Sequence, residues 1–315
     1  MLQYILRRLL ASIPVLILVS IIVSALIRIV PGDVVMNMLG ESGNVSAKDL
    51  ALIRHQLGLD RPYYEQYLTW MAGLLRGDMG NSLWTGNPVR DELFRRVPVT
   101  MELALLGLPL AILIAIPIGI ISATRQDTVS DYSGRLFAIA GLSLPDFWLA
   151  TLVVVFLAIW FHWLPPRGYI SPLESPWDNF QQFFLPAMIL GFRLSAVTMR
   201  MTRSTMLEVL RQDYIRTAWS KGLRERVVIY RHAVKNAMIP VITLLGRQFS
   251  VLLGGTVIIE TVFGIPGVGS LTLDAINQRD YTQVQGNVMF LAAIMVLMNL
   301  LVDISYGWFD PRIRY

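Results

Sequence analysis

The 315-residue chain is 54% hydrophobic and 16% charged, carries a net charge of +5 and has no cysteine. A mean hydropathy of +0.54 excludes an ordinary water-soluble domain, and the missing thiols exclude disulfides and thiolate metal centres. The modest basic excess fits the positive cytoplasmic face of a membrane protein better than a nucleic-acid surface, so no nucleic-acid partner is expected.

A spanning helix needs about 20 mostly apolar residues. Six blocks meet that length, at 9–30, 98–122, 136–163, 183–201, 238–262 and 287–309, the fourth interrupted by Arg193. The chain therefore reads as an all-α membrane protein of about six spans. Its expected parts are an N-terminal helix at 1–30, an extracytoplasmic segment at 31–97, and a five-helix core at 98–315 with an inner loop at 211–240. Arg7 and Arg8 precede an apolar run too long for a signal peptide and without a small-residue cleavage site, so an uncleaved first helix is expected.

The segment at 31–97 has helix signals of its own. Ser46 and Asp49 suit a helix start, and Leu50, Ile53 and Leu57 recur at helical spacing until Gly58. A second helix is predicted from Pro62 through Tyr64, Tyr67, Leu68 and Met71 to about Leu75, with proline in the first turn. Gly77, Gly80 and Gly86 make the remainder turn-rich, and residues 88–94 read as a short helix feeding the second span. Such a segment serves as a docking surface or lid, or simply as packing.

Lysine and arginine set the orientation. Arg200, Arg203, Arg211, Arg216, Lys221, Arg224, Arg226, Arg231 and Lys235 face only Glu208, Asp213 and Glu225 across one connection, which is therefore cytoplasmic. With six spans both termini are cytoplasmic too, in agreement with Arg7, Arg8, Arg312 and Arg314.

Within that connection Asp213 suits a helix cap, and Ile215, Ala218 and Trp219 share an apolar face that Gly222 terminates. Leu223, Val227, Tyr230, Val234 and Met238 follow at steps of four, three, four and four, predicting a second helix with its basic residues opposite. The pattern alone fits two roles: an interfacial helix held by membrane lipid, or an element that docks a partner.

The run Tyr214-x-Arg-Thr-Ala-x-x-Lys-Gly-Leu, followed by His232-Ala-x-x-Asn-Ala-x-Ile-Pro240, resembles the cytoplasmic coupling loop of ABC importer permeases of the dipeptide, oligopeptide, nickel and glutathione branch. Arg216, Thr217 and Ala218 stand where the wider superfamily has Glu-Ala-Ala, and Gly222 stands at its glycine. The resemblance continues in Leu6-Arg-Arg-Leu-Leu, Pro31-Gly-Asp33, Gln56-Leu-Gly-Leu-Asp60, Gly77-Asp-Met-Gly80-x-Ser82, Glu260-x-Val-Phe-x-x-Pro266-Gly-x-Gly269 and Asp310-Pro-Arg-Ile-Arg-Tyr315. In this order the motifs cover nearly the whole chain.

The resemblance implies a type I ABC importer transmembrane fold in a bacterial or archaeal plasma membrane, the inner membrane in a Gram-negative cell. It implies a non-catalytic permease forming half of a pathway for di- or oligopeptides, with nickel, glutathione or oligosaccharide as alternative cargoes. The implied partners are a second homologous permease, two ATP-binding subunits that carry ATP and Mg, and an extracytoplasmic substrate-binding protein. Arg216, Thr217, Ala218, Trp219, Ser220, Lys221 and Gly222 would form the ATPase-coupling element, with Trp219 or Ala218 seated in an ATPase groove.

No catalytic, cofactor or metal site is expected in the chain itself. Gly264-Ile-Pro-Gly-Val-Gly269 lacks the lysine and the strand-to-helix setting of a phosphate loop, and His55, His162 and His232 are scattered. A secondary transporter or channel is the alternative class, although no repeated membrane half is evident.

Charges within apolar blocks mark either interfaces or function. Asp146, Arg193, Arg247, Glu260 and Asp303 are of this kind; Arg247 and Asp303 lie deepest and call for a partner or a wet path. Gly246, Gly254, Gly255 and Thr256 fit close helix packing or a passage wall. The candidate pathway residues are Arg247, Gly254, Gly255, Thr256, Glu260 and Asp303.

Overall fold

The computed structural model describes residues 2–29, 51–52, 54–55, 58–254 and 256–309. The helix expected from Ser46 to Gly58 lies largely outside them. In chain order the helices are α1 (Leu2–Ile29), α2 (Tyr63–Leu75), α3 (Val89–Thr124), α4 (Val129–Ser143), α5 (Asp146–Phe161), α6 (Pro176–Leu210) and α7 (Asp213–Ser220). There follow α8 (Glu225–Leu253), α9 (Val257–Phe263), α10 (Val268–Gln278) and α11 (Tyr281–Phe309). The fold is all-helical, and α1, α3, α6, α8 and α11 are each long and apolar enough to span a bilayer.

Two expected spans are not single rods. The block at 136–163 divides into α4 and α5, bent by 96° where Pro145 follows Leu144, because the residue before a proline is pushed out of the helical region. The block at 238–262 stops at Leu253, and α9 and α10 then form a second bent pair at 88°. The short helix expected at 88–94 is instead continuous with the second span, forming the 36-residue α3.

Small residues let the long helices approach closely, the usual means of packing where no hydrophobic gradient drives association. A side chain at Gly119 of α3 would meet Thr202 of α6 at 2.7 Å, and one at Gly191 would meet the Gly107 carbonyl at 3.2 Å. Gly141 of α4 fits over Ala196, and Gly246 of α8 fits over Val302 of α11. The core between them is apolar, centred on Leu103, Phe183, Leu190, Leu252, Ile259 and Phe263. Outward, α1 and α5 expose Leu10, Leu18, Phe156, Ile159 and Trp160, a surface suited to lipid rather than water.

The segment between α1 and α3 is anchored rather than free, as far as its residues are described. Ser20 of α1 and Tyr67 of α2 share a 2.8 Å hydrogen bond, and Gln285 of α11 donates to Ser24 at 3.0 Å. Buried Asp280, just before α11, accepts hydrogen bonds from the Ser82 hydroxyl and from the backbone of Leu83 and Trp84. That carboxylate holds the glycine-rich turn against the bundle. Gly80 (φ +80°) lies so near Thr282 that an added Cβ would stand 2.8 Å from its methyl.

Candidate functional site

At the end of the bundle where α6 finishes, α7 lies across the ends of α3, α6 and α8. Ile215 is 0% exposed and joins Ile120, Ala123, Met206, Val228 and Ala233 in one apolar cluster. Burying an isoleucine contributes about 1.5–3 kcal/mol, enough to hold an eight-residue helix that would not persist alone. Ala218 belongs to the same cluster. It is therefore turned into this chain and cannot also seat in a partner's groove, which corrects that part of the expectation.

Trp219 does face outward, 44% exposed, beside exposed Arg216, Thr217, Ser220, Lys221 and Gly222. Gly222 sits at φ +75°, with its N–H donating to the Trp219 carbonyl at 2.9 Å and the Leu223 N–H reaching Ala218 at 3.4 Å. This paired closure is a Schellman end, which favours glycine at the left-handed position. Nothing lies within 4 Å of a Cβ built at Gly222, so the space beside it is open. Asn236 of α8 donates to the Tyr214 hydroxyl at 2.8 Å and ties the helix down from the other side.

The stripe expected on the following helix is displaced. Leu223 and Tyr230 are exposed, while the buried positions are Val228, Ala233, Ala237 and Val241. The step of five from Val228 to Ala233 coincides with a π-helical turn over the same residues. The turn inserts a residue into the α-helical register, so a regular 3.6 period projects the wrong face. Tyr230 and Leu223 are consequently exposed, as Trp219 is on the α7 knob.

A buried charge cluster not singled out from the sequence braces this end. Asp131 of α4 is 0% exposed and receives two hydrogen bonds from the Arg203 guanidinium, at 2.7 and 2.9 Å. The Ser122 hydroxyl and the Asp127 N–H complete its shell, and Arg135 lies 3.4 Å away. Arg203 had registered only as one of the orienting cations. The available signal was the helical spacing of Asp127, Asp131 and Arg135, but nothing in the sequence pairs Asp131 with a residue 72 positions away.

At the opposite end Glu260 is also 0% exposed and fully engaged. It accepts hydrogen bonds from Thr100 at 2.9 Å, Thr256 at 3.1 Å and the Ser270 N–H at 2.8 Å, while the Thr100 hydroxyl accepts from the Val268 N–H. A Cβ at Gly267 would fall on the Glu260 carboxylate, and one at Gly269 would meet both that carboxylate and Val257 backbone. The motif from Glu260 to Gly269 is thus an internal clamp that folds α9 and α10 against α3. A neighbouring carboxylate, Glu102, accepts from Tyr169 at 2.9 Å and Asn179 at 2.6 Å. Burial first, and Glu102 second, push the Tyr169 phenol up to about 12.

The expected pathway residues therefore divide. Glu260 and Thr256 serve the clamp, and Gly254 packs near Met295, with Met295 Cε 3.3 Å from an added Cβ. Gly246 likewise packs closely, against Val302. Gly255 and the Asp303 side chain lie outside the described residues. Arg247 alone among the described members is exposed, and it lines a groove of about 590 Å³ with Arg193, Asp146, Gln248 and Val251. Arg193, midway along α6 and 60% exposed, pairs with Asp146 at the bend before α5. An arginine at mid-bilayer costs about 2.5–3.5 kcal/mol or more unless water or a partner reaches it. The groove is accordingly a mostly apolar surface that carries two arginines and a carboxylate, with α6 and α8 of spanning length along it.

Comparison with known proteins agrees with this arrangement. Residues 115–315 match the family described as binding-protein-dependent transport system inner membrane component, and residues 1–104 match its N-terminal companion. The dipeptide transport system permease protein DppB of Alkalihalophilus pseudofirmus is 40% identical over 335 residues, with both chains covered in full. DppB of Escherichia coli K12 is 38% identical, covering 100% of this chain and 99% of the relative. A putative peptide transport system permease of Brucella abortus is 41% identical over 99% and 98%. In fold, the chain is similar to a crystal structure of an amino acid ABC transporter with histidines, at a TM-score of 0.52 and 15% identity over 71% of this chain and 94% of that one. The spanning helices are those of a multi-pass membrane protein, and the chain belongs to the family of binding-protein-dependent transport system inner membrane components.

Proposed function

We propose that the chain is a permease subunit of an ATP-driven ABC importer and forms half of a translocation pathway for di- or oligopeptides. The observation that carries this reading is α7. Ile215 and Ala218 fix it to three spanning helices, while Trp219, Arg216 and Lys221 are left facing outward. A helix held in this way passes a push on its outer face to the spans. The exposed tryptophan and its basic surround are the kind of anchor and rim that protein interfaces use.

The occupant of that surface would be an ATPase subunit, with ATP and Mg held on two such partners and none on this chain. The concentration of cations around α7 supports placing this end, and both termini, in the cytoplasm. The outer face would then receive a substrate-binding protein, and a second, homologous permease would complete the pathway. The peptide cargo is supported by full-length likeness to permeases named for dipeptide and peptide transport.

The test is reconstitution of this chain with a second permease, the ATPase subunits and a binding protein in liposomes, following labelled dialanine. ATP-dependent accumulation is expected. Uptake driven by an ion gradient without ATP would contradict the importer reading, and ATP-driven uptake of another cargo alone would contradict the peptide assignment.

A further inference from the structure

We infer that Arg247 is a contact for a cargo carboxylate within the translocation groove, with the Arg193–Asp146 pair fixing the charge balance around it. The inference rests on the permease reading and adds to it a specificity-determining residue. Three observations lead to it. Arg247 is exposed on α8 and has no hydrogen-bond or ion-pair partner among the described residues. The nearby groups that could have neutralised it are already committed. Asp146 is held by Arg193, and the Gln248 side chain accepts from Thr198 at 3.1 Å while donating to the Leu194 carbonyl. The groove thus presents two guanidinium groups against one carboxylate, which leaves one cation unbalanced.

The chemistry that fits the surplus is a carboxylate. Guanidinium offers a planar fork of donors that matches carboxylate oxygens in pairs, and it stays charged at any working pH. Around it, exposed Val251 and Ile258 offer apolar wall and the Thr256 hydroxyl is committed to Glu260, so a passing molecule would be recognised by its carboxylate rather than by its side chains. A short peptide carries such a group at its C-terminus whatever its sequence. A contact of this kind suits a pathway that must accept many peptides.

The test uses the assembled transporter in liposomes and two variants. R247Q should lower ATP-driven uptake of dialanine, at saturating loaded binding protein, by about tenfold or more, the loss of one charge-assisted hydrogen bond. R247K should recover part of it, and copurification of the second permease should be unchanged. The chain has no cysteine, so R247C supplies a single thiol. It should react with water-soluble thiosulfonate reagents, at similar rates with the anionic and the cationic form, because the remaining Arg193 and Asp146 balance each other. Unchanged uptake by R247Q would overturn the inference. So would loss of the second permease, which would mean that Arg247 pairs across a subunit interface, or failure of R247C to label with and without ATP. Failure of the unmodified transporter to take up dialanine would contradict the peptide reading alone, since thiol labelling uses no cargo.

Discussion

The α7 knob and the α9–α10 hairpin stand at opposite ends of the bundle and are built from similar parts. Each uses short helices, and each has a glycine in the left-handed region, Gly222 at φ +75° and Gly264 at φ +63°. They differ in where their polar groups go. In the hairpin Glu260 is enclosed and satisfied by Thr100, Thr256 and Ser270, and glycines press so close that no side chain fits between. In the knob only Ile215 and Ala218 turn inward, and the residues between and after them face out with open space around Gly222. A sealed polar group does its work within the chain; an exposed, rigidly mounted one is set for a partner. The same sequence economy of glycine and short helix therefore yields an enclosed element at one end and an exposed one at the other.

Substitutions that separate stability from transport can break or sharpen this contrast. The largest structural effect is expected at the brace beneath the knob. Asp131→Ala leaves Arg203 unpaired in a mostly buried site, and removing one partner of such a pair costs about 3–5 kcal/mol. A pronounced fall in the thermal midpoint of the detergent-purified protein should report it. Next, Gly267→Ala should displace the Glu260 carboxylate and destabilise by about 1–3 kcal/mol, the range for overpacking. Limited proteolysis near residues 264–270 should detect a loosened hairpin, and unchanged resistance would contradict the clamp. Gly222→Ala meets no neighbour, so only the left-handed backbone is strained, at about 1–2 kcal/mol. Melting curves should therefore show less loss than for Asp131→Ala. Trp219→Ala should scarcely alter the melting midpoint, because the side chain is not part of the buried cluster. Its effect should appear in transport.

Much of this architecture is legible in the sequence because the bilayer demands long apolar runs. The helix predicted from Pro62 ends at Leu75 as its pattern suggests, and the short helix closed by Gly222 follows from the glycine breaker, although Gln212 rather than Asp213 stands at its cap and Asp213 is the first helical residue. Periodicity fails where the backbone departs from a uniform helix. The π turn at Val228–Ala233 shifts the buried stripe, and the bend before Asp146 turns one apolar block into two helices. Composition alone also cannot tell an engaged charge from a working one. Glu260 and Arg247 look alike as charges in apolar runs, yet one is enclosed by donors brought from positions 100 and 270 and the other stands open in a groove. The pairing of Asp131 with Arg203 and the anchoring of Ser82 by Asp280 are likewise contacts between distant positions that no local pattern encodes.

The most direct measurement is the ratio of peptide uptake to ATP hydrolysis in the reconstituted transporter carrying Trp219→Ala. If α7 is the element through which ATPase movement reaches the spans, uptake per ATP hydrolysed should fall about tenfold or more while the chain remains folded. Normal uptake, with normal attachment of the ATPase subunits, would contradict that role.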